Sequence, residues 1–173
     1  MDITLSDVLA TTLLGVRIGP RATRRILQDG QTRFALLCKL ADVPDVDLGS
    51  AGAPELTAMA ALYEAVKLAL SADTVMNPNA WVTASKLCAR KRPDLFPVRD
   101  HLVCDHLGLS HFRNYQVDWQ VFRALISDLD VAATIDSVGK ALEVIPGEMK
   151  LQVDHSRLRL LDAAIWTYTK SSS

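Results

Sequence analysis

Apolar positions along this chain recur at steps of three and four, and no stretch alternates apolar and polar residues over the length of a strand. The clearest case begins at Pro54. Leu56, Met59, Tyr63, Val66 and Leu70 fall on one helical stripe, and Pro54 suits a first helical turn because it has no N–H to leave unpaired. A shorter helix is predicted over Asp7–Leu14, with Thr4 or Ser6 as its cap. Gly19-Pro20 closes that segment and opens a second helix through Gln28. After a break at Gly30, Phe34, Leu36, Leu37 and Leu40 make a third apolar face. Residues 42–54, with Pro44, Gly49, Gly52 and Pro54, read as a loop. Further helices are predicted over 82–90, 97–108, 117–128, 131–144 and 156–169. In the last, Leu158, Leu161, Ile165 and Tyr168 face one way.

The pattern predicts an all-α fold of about eight short helices packed at varied angles in one compact domain over residues 1–170, with 171–173 as a disordered tail. Composition agrees with a globular domain, at 173 residues, 49% apolar and 23% charged. The apolar stretch Val8–Val16 is broken by Thr11, Thr12 and Gly15, so neither a secretory leader nor a membrane span is expected, nor a membrane partner. Cys38, Cys88 and Cys104 are odd in number and far apart, and read as buried free thiols in a reducing, cytoplasmic compartment.

Charge adds one feature. The net charge is only −1, yet Lys86, Arg90, Lys91, Arg92 and Arg99 face a single acid, Asp94, between positions 86 and 99. A positive patch on an otherwise acidic chain suits phosphate binding, and nucleic acid is the expected partner. The competing reading is a helix end, with Arg90–Arg92 complementing the terminal carbonyls ahead of Pro93.

The stretch SKLCARKRPDLFPVRDHLV, the opening ITLSDVLATTLLGVRI and the closing RLRLLDAAIW resemble a bacterial family of domains of unknown function, so the likeness covers nearly the whole chain. A more distant resemblance is to the helix-hairpin-helix DNA glycosylases. Thr83-Ala84 matches the start of the helix after their hairpin. Phe96-Pro97-Val98-Arg99-Asp100 matches their aspartate segment, with 17 positions from Thr83 to Asp100. The resemblance implies a glycosylase-like core and a catalytic role for Asp100. Val82 stands where lyase-type members carry a nucleophilic lysine, so Schiff-base chemistry is not implied. Pro78 and Ala80 replace the hairpin glycines, which weakens a phosphate cradle, although Asn77 and Asn79 tolerate a turn.

Asp100 also has a structural reading, as a helix N-cap or an ion-pair partner of Arg90 or Arg92. His101, Cys104, Asp105, His106 and His111 invite a metal hypothesis, but paired ligands at structural-zinc spacing are lacking and no metal is expected. Asp162, inside the apolar run Leu160–Trp166, requires a partner if buried, and the basic cluster around Arg92 is the expected one. Trp81, Trp119 and Trp166 lie on separate helices and read as core or pocket walls. No phosphate-binding glycine loop, nucleophile elbow or dinucleotide fingerprint occurs, and no cofactor is expected. Three functions follow. The first is an all-α module that binds nucleic acid through the 86–99 turn. The second is a base- or nucleotide-processing enzyme using Asp100. The third is a protein-interaction domain whose charges are structural.

Overall fold

A computed structural model describes residues 1–71, 80–143 and 154–171. Among these, nine α-helices and one 3-10 turn occur and no strand. The helices are α1 (Leu5–Thr12), α2 (Pro20–Leu27), α3 (Gly30–Asp42), α4 (Ala53–Leu70), α5 (Trp81–Lys91), α6 (His101–His106), α7 (Tyr115–Ser127), α8 (Leu129–Glu143) and α9 (Arg157–Ser171). The all-α expectation holds. α9 runs through Ser171, and residues 172–173 of the expected tail lie outside the described residues.

Helix starts follow capping chemistry. Thr4 and Asp7 form a reciprocal box at α1, in which Thr4 N–H donates to Asp7 Oδ2 at 2.9 Å and Asp7 N–H to Thr4 Oγ1 at 3.3 Å. Asp29 accepts from Gln31 and Thr32 at the start of α3, and Asn114 from Gln116 at the start of α7. At α4, Glu55 reaches back to the Gly52 N–H at 2.8 Å.

α4 is the hub of the N-terminal half and packs against α2, α3 and α5, while α1 lies on α5. Met59, Leu62, Tyr63, Val66 and Ala69 of α4 are buried, at about 1.5–3 kcal/mol for each large apolar side chain removed from water. In the C-terminal half, α7 packs on α8, and α9 packs on α6, α7 and α8. The halves meet through rings. Tyr63 of α4 lies 4.3 Å from Tyr115 and 5.8 Å from Trp119 of α7, and Trp119 meets Phe96 edge-on at 5.5 Å.

Several expectations shift. The 42–54 segment is the expected loop between α3 and α4, but it packs inward, with Val43, Leu48 and Ala51 buried and Leu48–Ser50 in a 3-10 turn. Cys88 and Cys104 are buried as expected, whereas Cys38 is exposed on α3. Leu158 and Leu161 point inward, but Tyr168 does not follow them and is exposed. Trp119 is core, and Trp166 lies on the surface beneath Lys170 Nζ at 4.6 Å. Positions 77–79 of the expected hairpin lie outside the described residues.

Candidate functional site

From Arg92 the backbone leaves α5 through a turn at 93–95 and continues to Asp100 at the start of α6, and several of its polar groups are claimed from inside the molecule. Arg92 is buried. Its Nη2 donates to the Val43 carbonyl at 2.8 Å and the Leu40 carbonyl at 3.3 Å, which satisfies the end of α3. Ser156 Oγ donates to the Pro93 carbonyl at 3.1 Å, and Leu48 N–H to the Asp94 carbonyl at 3.0 Å. Buried Ser85 donates to the Pro97 carbonyl at 2.9 Å and accepts from Arg99 N–H at 2.7 Å. Val98 N–H donates to Asp162 Oδ2 at 2.8 Å.

The expected helix 97–108 begins only at His101, because Asp100 is extended, at φ −114° and ψ 146°, and takes the N-cap place. Pro97 has no N–H, and those of Val98 and Arg99 go to Asp162 and Ser85. Asp100 then caps α6. Its Oδ1 accepts from Leu102 N–H at 3.1 Å, and its Oδ2 lies 3.4 Å from Lys86 Nζ. The cap role expected of Asp100 is present, but its cationic neighbour is Lys86 rather than Arg90 or Arg92.

The five basic side chains of the turn do not make one exposed surface. Lys86 is buried and also donates to the Leu14 carbonyl at 2.8 Å. Arg99 is buried with its guanidinium 4.0 Å over the Trp81 ring and its Nε 2.8 Å from Asp118 Oδ2. Lys91 Nζ donates to Asp7 Oδ2 at 2.8 Å, and Arg90 Nε lies 3.4 Å from Asp7 Oδ1. Arg90 alone of the five is exposed, its side chain 55% accessible. Burial favours the neutral form of Asp7, but the hydrogen bonds from Lys91 and Thr4 outweigh it and hold the carboxyl below its usual value.

Two further carboxyls stand close to this segment with unfilled acceptor positions. Burial raises Asp118 to about 6 against the attraction of Arg99, and neither of its oxygens accepts a hydrogen bond among the described residues. Burial likewise raises Asp162 to about 7; the Val98 amide and Arg159 oppose the shift and Asp100 adds to it. Its Oδ1 has no donor among the described residues. The last helix is therefore fastened to the central turn as expected, but through a backbone amide instead of the Arg92 cluster. Arg99 and Asp118 line a cavity of about 10 Å³ with Tyr63, Ser85, Tyr115 and Trp119, room for one water-sized molecule and no substrate. Burial also pushes the Cys88 and Cys104 thiols up, which removes them as thiolate nucleophiles.

No three His, Cys, Asp or Glu side chains converge for a metal among the described residues. His101 Nδ1 faces Asp105 Oδ2 at 3.1 Å on the surface, while Cys104 is buried. No helix among the described residues is long and apolar enough to cross a membrane.

Exposed positive charge lies elsewhere, on and before α2. Arg17, Arg21 and Arg24 are exposed and make no ion pair among the described residues. Arg25 turns inward, where its Nε donates to the Ala69 carbonyl at 2.9 Å and its Nη2 to the Ser71 carbonyl, anchoring α2 on the end of α4. The signal for this face is in the sequence, because residues 8–28 hold four arginines and no acid. Beside the arginines runs an open groove of about 470 Å³ lined by Ile18, Pro20, Thr23, Arg24, Leu27 and Gln28.

No match occurs among the curated proteins, and none among the solved structures. Residues 1–169 match the family of unknown function DUF6308, and the chain belongs to that family.

Proposed function

We propose that this domain binds nucleic acid, and that the phosphates are met by Arg17, Arg21 and Arg24, with Arg90 as the accessible remnant of the 86–99 cluster. The observation that carries the reading is the contrast in exposure. Three arginines of an acid-free stretch stand in solvent without a counter-ion among the described residues, whereas Lys86, Arg92 and Arg99 are consumed inside the fold. Guanidinium groups suit this role because their planar donor fork matches phosphate oxygens. Titration of labelled DNA and RNA at two salt concentrations tests it. Binding weakens steeply as salt rises, and replacing Arg17, Arg21 and Arg24 by Ala lowers the log–log salt slope by about 0.7–0.9 for each phosphate that is no longer neutralised. Absence of binding at low salt, or an unchanged slope in the triple variant, overturns the reading and favours a protein-interaction domain.

A second reading, a glycosylase-like enzyme acting on a base or nucleotide, rests on Asp100. This carboxylate caps α6, is about a quarter accessible, and has Lys86 at 3.4 Å. An ionised carboxylate so placed is suited to stabilising positive charge developing on a sugar or to activating water. Release of free base by the native chain and not by Asp100→Asn supports it, and equal release by both removes it.

A further inference from the structure

We infer that the groove on α2 receives the face of an unpaired base, so that the nucleic acid bound is single-stranded; this rests on the nucleic-acid reading of the same helix. The groove has an apolar floor beside a positive rim. Ile18 and Leu27 are half-buried against the core, and Pro20 completes the floor between them. Part of the backbone around the floor is already paired or lacks a donor. The Gly19 carbonyl already accepts Thr23 N–H at 2.9 Å and Thr23 Oγ1 at 3.1 Å, and Pro20 has no N–H. The floor of Ile18, Pro20 and Leu27 is complementary to an apolar face.

The rim asks for the opposite. Arg24 lines the groove, Arg17 and Arg21 stand exposed in the same acid-free stretch, and the exposed Gln28 closes the far end with an amide. An amide both donates and accepts, as the edge of a base requires. Apolar face, polar edge and adjoining phosphate occur together in one nucleotide. In a duplex the base faces are stacked on one another and only phosphates and groove edges are offered, so the floor gains nothing from it. The arginine tie of α2 to α4 keeps the floor fixed when the ligand arrives.

Charge density makes the test discriminating. A duplex carries a phosphate per about 1.7 Å of axis and a single strand per about 3.4 Å, so arginines alone would favour the duplex. The probes are a labelled oligothymidylate and a blunt DNA duplex of matched length, titrated by anisotropy against the full chain at one salt concentration. The single strand is expected to bind about fivefold to tenfold more tightly, the scale of one base placed against a protein surface. Ile18→Ala and, separately, the exposed change Gln28→Ala should each erase most of that preference with duplex affinity unchanged, and far-UV circular dichroism should show the helices intact. Equal or tighter duplex binding, or a preference untouched in both variants, overturns the groove inference and leaves the arginine reading standing. Failure of both probes to bind, with or without binding to vesicles of anionic phospholipid, overturns both.

Discussion

In the segment from Lys86 to Arg99, five basic side chains stand among carboxylates and helix-end carbonyls; of the four arginines on α2 and the stretch before it, Arg25 meets the carbonyls at the end of α4. All of the first group but Arg90 are drawn inward. Asp7 takes Lys91 and Arg90, Asp100 takes Lys86, Asp118 takes Arg99, and the end of α3 takes Arg92. In the second, Arg25 alone finds an internal acceptor among the described residues. A run of positive charge in a sequence therefore does not mark a binding surface by itself. Long-range acceptors decide which basic side chains remain in solvent; Asp7, the acceptor of Lys91, lies 84 positions before it in sequence.

The widest separation between the two regions is in stability. Arg92→Ala strips the buried Leu40 and Val43 carbonyls of their donors, and about 2–4 kcal/mol is expected to be lost. Arg24→Ala, on the exposed face, should change stability by less than about 0.5 kcal/mol while weakening binding. Urea denaturation of the two variants checks this, and similar losses would break the distinction.

Next in size is the pH dependence. Asp118 and Asp162 hold their protons in the folded chain to about 6 and about 7, whereas unfolded aspartates release theirs near 3.8. The folded state thus binds more protons between about pH 4 and pH 7, and stability falls as pH rises through that window. Asp7 works in the other direction. Its lowered carboxyl contributes stability that is present above pH 4 and lost on further acidification. The melting temperature should be highest near pH 5 and lower at pH 8. Asp162→Asn keeps an acceptor for the Val98 amide without the charge, so it should raise the melting temperature at pH 8 and matter little at pH 5. Asp162→Asn melting lower than the native chain at both values would show that the charge is stabilised in place.

The smallest effect concerns the boundary between structure and chemistry. Asp100→Asn weakens a cap and an ion pair that is only partly shielded, and a loss of about 1–2 kcal/mol is expected in thermal melts. An unchanged or raised melting temperature would mean that the carboxylate is held at a cost to the fold, and would strengthen the enzyme reading.

Much of the fold was legible because helical periodicity is local. Met59, Tyr63 and Val66 face inward as their spacing requires, and the boundary at Pro20 follows from proline's missing donor. The errors arose where a distant group intervened. Residues 97–100 read as helix but lie outside it, held by Asp162 on the Val98 amide and Ser85 on the Arg99 amide, and no local pattern announces those partners. Tyr168 keeps the spacing of Leu161 and Ile165 but lies near the end of α9, with its ring 5.4 Å from His106. For the candidate site, spacing located Asp100 and Asp162 as constrained carboxyls. Residue type alone pointed to 86–99, where most of the basic side chains turn inward, although the absence of acids from 8 to 28 marked the exposed stretch.

Asp7 has a consequence for how the chain acquires its fold during synthesis. Its carboxylate is shared between the box with Thr4 and the ammonium of Lys91, 84 positions later, and the end of the same helical segment is held by Lys86, 72 positions after Leu14. At about 5–20 residues per second, Lys91 follows Asp7 through the ribosome by roughly 4–17 s. Throughout that interval the first helix has its local cap but not its anchor, with Leu5, Leu9 and Leu13 on its outer side whether docked or not. A nascent chain halted before α5 should therefore carry this leucine-rich segment undocked and without a stable helix, and translation through Lys91 supplies the anchor that docks it.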